Sequence, residues 1–294
     1  MQNKKERVPV NNKGIQNNIL HFLYQTKPGT FLLKALVNPY VSKAAGYFMD
    51  SRISVPLIKP FIKYNHINME EFEECRYQSF NEFFTRKIKK GSRKFSTKDN
   101  DLCSPCDAKL SVYKIEDDSS FMVKGTYYTM QSLTKSHKLA GYYKGGTLCI
   151  FRLSVDDYHR YAYIDAGKQK KNYKIPGVLH TVNPVACGKY PVYKENSREF
   201  SVLYSKNFGK VLMMEVGAML VGRICNYNEE THAVRGQEKG KFEYGGSTII
   251  LAFAKGKVLI DKEIINNSRY GYETMVKMGN IIGKKAGTMP DMGN

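Results

Sequence analysis

The chain has 294 residues, 42% of them apolar, which is enough for a sizeable core and excludes wholesale disorder. Lys and Arg outnumber Asp and Glu 46 to 27, a formal charge of +19 that asks for an anionic partner: nucleic acid, a phospholipid surface or an acidic substrate. No run reaches the roughly 18 apolar residues of a spanning helix, and no apolar stretch opens the chain as a secretion signal would, so the expected location is the cytosol, with room for a membrane-surface position.

Residues 1–17 are polar and are expected to be mobile. Residues 18–95 read as helical. "NNILHFLYQT" spaces Ile19, Leu20, Phe22 and Leu23 as a helix does, and "TFLLKALVNPYVSKAAGYFMDS" continues with lysines among apolar residues. Pro28, Pro39, Pro56 and Pro60 cut this region into short pieces. "NMEEFEECRYQSFNEFFTRKIKKGSRKF" predicts a further helix with a basic end, stopped at Gly91. Residues 1–63 hold ten basic residues against two acids, Glu6 and Asp50. These helices read either as a core-packing cap or as a basic amphipathic surface in a headgroup region, where each Lys or Arg is worth roughly 1 kcal/mol.

From about residue 100 short β-prone runs alternate with glycine-rich turns: "KLSVYKI", "SSFMVKGTYYTM", "GGTLCIFRLSV", "KVLMMEVGAMLVGRI", "GSTIILAFAKGKVLI". "TYYTMQSLTKSHKLAGYY" is expected to hold one helix, and a loose tail is expected after about Gly283. The fold class is therefore α+β: a helical N-terminal segment, residues 1–95, followed by a β-rich domain, residues 96–294. There is no internal repeat, P-loop or dinucleotide fingerprint. The six cysteines read as reduced thiols. Cys103-Ser-Pro-Cys106 lacks the second pair or the two histidines of a zinc site, and it lies in a strand-like run rather than at a helix start. No metal is expected.

Three places concentrate reactive groups: Asp107 in "SPCDAKL", His159 in "FRLSVDDYHRYAY" and Ser247 in "YGGST". Each alone reads equally as a capped turn, a satisfied histidine or a glycine-turn serine, because a site needs mutual geometry. Their order admits a hydrolase triad, but "GGST" lacks the G-x-S-x-G elbow.

The flanks carry more. "SFNEFFTRKIKKGSR", "SPCDAKL", "FMVKGTYYTMQSL", "FRLSVDDYHRY", "GVLHTVNPVA", "ENSREF", "VGAMLVGRI" and "GQEKGKFEYGGSTIILAF" follow one another from about Tyr77 to Asp261. In this order they resemble the phosphatidylserine decarboxylases, pyruvoyl-dependent enzymes made as self-cleaving proenzymes. The resemblance implies that Ser247 Oγ attacks the Gly246 carbonyl, that the resulting ester is lost by β-elimination, and that residues 1–246 and 247–294 become separate chains. Glycine on the acyl side leaves that carbonyl unobstructed. Ser247 would become a pyruvoyl group, an electron sink for decarboxylation of phosphatidylserine to phosphatidylethanolamine without a metal. A homodimer, peripheral on the cytoplasmic face of the cell membrane, is implied too.

By the same resemblance Asp107 matches the aspartate of S-P-x-D-G, with Ala108 in place of glycine, and belongs to self-cleavage. His159 matches the first histidine of Y-H-R-x-H and belongs to decarboxylation. Where many members carry the second histidine this chain has Ala162, so another base must activate Ser247. His180 in "GVLHTVNP" is the candidate, or else it only packs at a strand end. Arg160, Arg198 and Lys194 are candidates for the substrate phosphate or carboxylate, or for ordinary surface charge. The alternative is an unprocessed, non-catalytic member that binds anionic lipid. A nucleic-acid binder is disfavoured because no recognition motif accompanies the charge.

Overall fold

The strand Ser247–Phe253 organises the fold: all seven of its residues are buried. It pairs antiparallel with Thr147–Leu153 on one side and with Gly209–Val216 on the other. These are the centre of a ten-stranded sheet that runs outward through Ala108–Lys114, Tyr272–Val276 and Arg7–Pro9 at one edge. At the other it runs through Arg198–Ser205, Gly167–Gln169 and Thr231–Ala233. The computed structural model describes residues 6–9, 21–123, 125–183, 186, 190–218, 223–244 and 247–287. Gly245 and Gly246, predicted at the cleavage site, lie outside the described residues.

Strand residues alternate between faces, and here both faces are covered, which is why "STIILAF" reads as one apolar run. Ile250 and Ala252 join Leu148, Ile150, Leu212 and Met214 in one core, closed by Leu23, Leu33, Met130 and Leu133 from helical segments. Ile249, Leu251 and Phe253 join Cys149, Phe151, Val211 and Met213 in the other, closed by Ile164, Phe242, Ile264 and Ile282. Each such side chain contributes roughly 1.5–3 kcal/mol through the surface it removes from water. A three-stranded sheet of Arg160–Ala162, Glu238–Phe242 and Ile224–Asn226 covers part of this second face. Another combines Asp101–Cys103, Ile281–Lys285 and Val258–Ile260.

The chain is mixed α and β, and several expectations need correction. The helices before the sheet are Lys27–Leu36, Pro39–Asp50 and Ile58–Tyr64, with a 3-10 turn at Arg52–Leu57. The long helix expected over "NMEEFEECRYQSFNEFFTRKIKKGSRKF" is reduced to Phe80–Phe84, capped by Ser79. The flanking charges bond across the chain instead of along a helix. Glu73 N–H donates to the Lys87 carbonyl and Lys89 N–H to that of Glu71, while Arg93 reaches Glu71 at 2.9 Å. "TYYTMQSLTKSHKLAGYY" holds two helices, Met130–Thr134 and His137–Tyr142, because Lys135 ends the first in the left-handed region at φ +55° and Ser136 caps the second. Strand continues past Gly283 to Lys285, with Ile282 fully buried, and residues 288–294 of the expected loose tail lie outside the described residues. Within the N-terminal polar stretch Arg7–Pro9 is likewise a strand.

Candidate active site

Ser247 is the first residue of the central strand, directly across from Leu153. It is fully buried, and its Oγ has no hydrogen-bond partner. An unsatisfied buried hydroxyl costs about 1–3 kcal/mol, and Thr248 Oγ1 beside it is likewise buried without a partner. Its backbone is paired with Leu153 on one side, and the ladder on the other side begins one residue later, at Thr248 opposite Val216.

From Leu153 the chain turns through Ser154–Asp157 toward His159. The turn is tied by Ser154 N–H donating to Asp157 Oδ2 at 2.6 Å and by Asp157 N–H donating to the Ser154 carbonyl at 3.0 Å. Lys109 Nζ lies 2.9 Å from the same Asp157 carboxylate. Lys109 and Arg152 face each other in the sheet, and Arg152 is also opposite Thr248. Arg152 is bound in turn by Glu273, with Nε 3.0 Å from Oε1. Burial pushes the Asp157 carboxyl up, and Lys109 opposes that rise.

His159 is fully buried. Its Nδ1 is 2.8 Å from the Asp157 carbonyl oxygen, which can only accept, so Nδ1 carries the proton. Nε2 is left with its lone pair and no hydrogen-bond partner. Burial first, and then the positive charge of Arg86, hold the imidazole down at a pKa of about 3. It is therefore neutral at physiological pH, with a fixed tautomer. Phe84 stacks on the ring at 4.0 Å, and Phe84 also meets Tyr244 at 5.4 Å, three residues before Ser247. The His159 carbonyl accepts from Phe242 N–H, and Tyr244 N–H donates to Asn81 Oδ1. The segment entering Ser247 and the segment carrying His159 are thus held by one frame at one end of the sheet.

Asp107 is near this end but does not orient His159. Arg93 grips its carboxylate through Nε at 3.0 Å and Nη2 at 2.6 Å, and Met278 N–H donates to it at 2.7 Å. Gly279, left-handed at φ +84°, turns that loop so that its N–H reaches the Ser104 carbonyl at 2.9 Å. The hydrolase-triad arrangement, with a carboxylate on Nδ1 of the histidine, is not formed: the Asp157 backbone takes that role.

Ala162 donates its N–H to the Pro105 carbonyl, and its methyl packs with Phe72, Tyr158 and Met278. His180 is brought elsewhere. Its Nδ1 is 3.2 Å from the Tyr24 hydroxyl and its ring stacks on Tyr190 at 4.4 Å, while Asn196 bonds both its N–H and its carbonyl. Tyr24 belongs to the core on the Ile250 face, whereas strand alternation places Ser247 on the Ile249 face. Burial lowers the His180 pKa. Arg198 is not a surface charge: its guanidinium donates to the carbonyls of Leu133, Ser132, Lys194 and Asn196. Arg160 is engaged by Glu238 and the Thr85 carbonyl. Cys103 and Cys106 are free, buried thiols, both raised in pKa by burial. Among the described residues no group of three His, Cys, Asp or Glu is placed to hold a metal, and no helix is long and apolar enough to cross a membrane.

Sequence reasoning missed Phe84 and Asp157 as the residues that fix His159. Both lie inside quoted motifs, "NEFFTR" and "SVDDYHRY", but the stacking and the backbone acceptor come from the fold alone.

The phosphatidylserine decarboxylase family model matches residues 80–284. The chain is 46% identical over 273 residues to phosphatidylserine decarboxylase proenzyme 2 of Clostridium acetobutylicum, covering 92% of this chain and 94% of that one. It is 43% identical over 272 residues to the proenzyme of Clostridium tetani, covering 91% and 92%. The proenzyme of Ruminiclostridium cellulolyticum is 42% identical over 271 residues, covering 90% of each chain. With the family model spanning the whole stretch that carries Asp107, His159 and Ser247, and relatives matched over nine-tenths of its length, the chain belongs to the phosphatidylserine decarboxylases, a family of carboxy-lyases.

Proposed function

We propose that the chain is a self-processing phosphatidylserine decarboxylase that cleaves its own Gly246–Ser247 bond and converts Ser247 into a pyruvoyl group. The observation that carries this reading is the pair of unpartnered buried atoms, Ser247 Oγ and His159 Nε2, held by one frame. His159, protonated on Nδ1, keeps a lone pair on Nε2 that can accept the hydroxyl proton. Ser247 Oγ then adds to the Gly246 carbonyl and displaces its own nitrogen, giving an ester. β-Elimination releases Gly246 as a carboxylate, and water removes the nitrogen of residue 247 as ammonia.

The site fits the resulting group. Elimination turns the Ser247 Cβ into a methyl, which suits a place where the lost hydroxyl makes no bond, and the ketone oxygen takes the place of the departed nitrogen. The seven-residue strand behind it fixes the new terminus between two neighbours. A pyruvoyl carbonyl supplies an electron sink for the pair left behind by carbon dioxide. His159 Nε2 hands back the proton that it has taken up, since it has no other partner. Asp107 acts as a structural anchor, joining the Arg93 segment to the Met278 loop. His180 packs rather than serving as the base.

We further propose that residues 1–95 bring the enzyme to the cytoplasmic face of an anionic membrane and that residues 96–294 form the decarboxylase domain, to which Phe84 is lent. Supporting this, Phe31, Tyr40, Tyr47 and Ile53 are 80%, 82%, 66% and 75% exposed, far more than packing residues. Lys34, Lys43, Arg52, Lys59 and Lys63 accompany them. The homodimer implied by the resemblance is open to sedimentation analysis.

Intact-mass measurement tests the reading. Two chains split after residue 246, the smaller with a blocked, hydrazine-reactive terminus, are expected. One uncut chain that still decarboxylates phosphatidylserine sinks it. A single uncut chain that binds anionic vesicles without turnover supports the alternative favoured by Ala162, a non-catalytic lipid binder.

A further inference from the structure

A cavity of about 450 Å³ opens beside the helix Phe80–Phe84 and has no part in the chemistry above. Arg86, only 1% exposed, is on its wall. The guanidinium lies over the rings of Phe72 and Phe83, 4.2 and 5.0 Å from their centroids. Its Nη2 has one distant acceptor, the Asp156 carbonyl at 3.4 Å, while Nε and Nη1 are buried without any. The hydroxyl of Tyr77, on the same wall, is also buried, with only the Cys75 thiol beside it. Aromatic faces attract a cation but accept no hydrogen bonds of ordinary strength. A desolvated guanidinium with idle N–H groups is therefore half of an ion pair whose other half comes from outside.

Three of the four acids on this wall are held by neighbours, and the fourth, Glu73, is exposed. Glu243 is held by Arg223 and Lys241, Asp50 by Asn81, and Glu82 by Gln78 N–H. The cavity lies between the segment that carries Phe84 and an exposed apolar edge. Phe84, two residues before Arg86, is the ring stacked on His159. Asp50, on the cavity wall, ends a helix that exposes Tyr47 and Phe48, and Ile53 follows at 75% exposure. A lipid whose tails stay in a bilayer against that apolar edge has its headgroup at this opening.

We propose that Arg86 and Tyr77 form the phosphodiester subsite of this enzyme, an inference that rests on the decarboxylase reading. The choice between the two anionic groups of the substrate follows from differential binding. A carboxylate leaves as neutral carbon dioxide, so an arginine bound to it would stabilise the ground state and slow the reaction. A phosphodiester keeps its charge throughout, and holding it strengthens binding without changing the barrier. Phosphate in this site also offsets the Arg86 charge that opposes protonation of His159.

The test is steady-state decarboxylation of dihexanoyl phosphatidylserine by wild-type enzyme and Arg86→Gln, with dihexanoyl phosphatidylethanolamine, which has the phosphodiester but no carboxylate, as competing inhibitor. For Arg86→Gln we expect KM to rise roughly 10- to 100-fold with kcat within about threefold, since charge-assisted hydrogen bonds are removed equally from ground and transition states. Inhibition by the phosphatidylethanolamine should weaken by the same factor. An unchanged KM, or a loss in kcat alone, overturns the assignment. So does a raised KM with undiminished inhibition, which would put the carboxylate on Arg86. If Arg86→Gln does not fold, Arg86→Lys and Tyr77→Phe are judged by the same two readouts. Wild-type enzyme that is cleaved but does not decarboxylate would defeat the underlying reading and not the subsite.

Discussion

Phe84 lies against His159 with ring centroids 4.0 Å apart and planes inclined at 35°, so the imidazole has an aromatic wall where an aqueous histidine has water. This contact is part of the burial that keeps the ring neutral. Phe84→Leu thins the wall without emptying it. We expect the His159 pKa to move up from about 3 toward the ordinary 6.5, read by imidazole nitrogen shifts. The stability loss should be about 1–3 kcal/mol, as for other partial core truncations. An unmoved histidine titration would show that the ring is desolvated by something other than Phe84.

The same depressed pKa has a consequence for stability. Below the unfolded value of about 6.5 the unfolded chain takes up a proton at residue 159 that the folded chain refuses. Stability contributed by the buried neutral ring is therefore present above pH 6.5 and is lost as pH falls toward 3. For one such group the slope is about 1.4 kcal/mol per pH unit at most. The positive charges of Arg86 and Lys109 act on the ring in the same direction. Urea unfolding of uncleaved Ser247→Ala protein, with and without His159→Gln, should differ in slope by close to one proton between pH 6 and 4. Parallel curves would contradict the assignment.

Ser247→Ala removes a hydroxyl that is buried and unbonded. Cleavage and carbon dioxide release should both vanish, leaving one chain of full mass. Unlike most substitutions at a reactive centre, this one should not destabilise the fold. A gain of up to about 1–3 kcal/mol is expected, because an unsatisfied polar group is deleted. A marked loss of stability would mean that Oγ is bonded in solution.

Asp107 and Arg93 predict a different pattern. The carboxylate accepts two guanidinium bonds and the Met278 amide, and both side chains are largely covered. Removing either partner strands the other, at about 3–5 kcal/mol. Asp107→Asn and Arg93→Gln should therefore each destabilise strongly, while the double variant costs much less than their sum. If Asp107 instead oriented the base directly, Asp107→Asn would slow cleavage and Arg93→Gln would leave the rate untouched.

The central strand was legible because "STIILAF" is an uninterrupted apolar run behind a glycine turn, and the two-faced burial of Ile249 and Ile250 explains the lack of alternation. Ser247, His159 and Asp107 could be singled out from local motifs. Their relations could not. The Arg93–Asp107 grip joins residues that no periodicity connects, and it removed the expected long helix by drawing Arg93 back toward Glu71. His180 is a related case: its motif looks reactive, but it packs on Tyr190 nearby in the chain and on Tyr24, which comes from a distant segment, on the other side of the sheet. Arg86 was written in "FFTR" as one basic residue among many, and only burial distinguishes it from Lys87 or Lys89.

Ala162 offers the sharpest comparison between motif and geometry. Restoring the histidine of Y-H-R-x-H by Ala162→His puts an imidazole where a methyl packs against Phe72, Tyr158 and Met278. That neighbourhood is apolar, and the Ala162 amide is already committed to the Pro105 carbonyl. If His159 is the base for cleavage, the added ring has nothing to contribute: it overfills the cluster, lowers stability by about 1–3 kcal/mol and leaves the processing rate unchanged or slower. His159→Ala should then block both cleavage and decarboxylation, and His180→Ala should leave the cleavage rate within about threefold of wild type, since it loses packing and not a proton acceptor. Pulse-chase processing of the three variants decides the matter. Faster cleavage in Ala162→His, or normal cleavage in His159→Ala, would return the role of base to the position that this chain has filled with a methyl group, or to another residue.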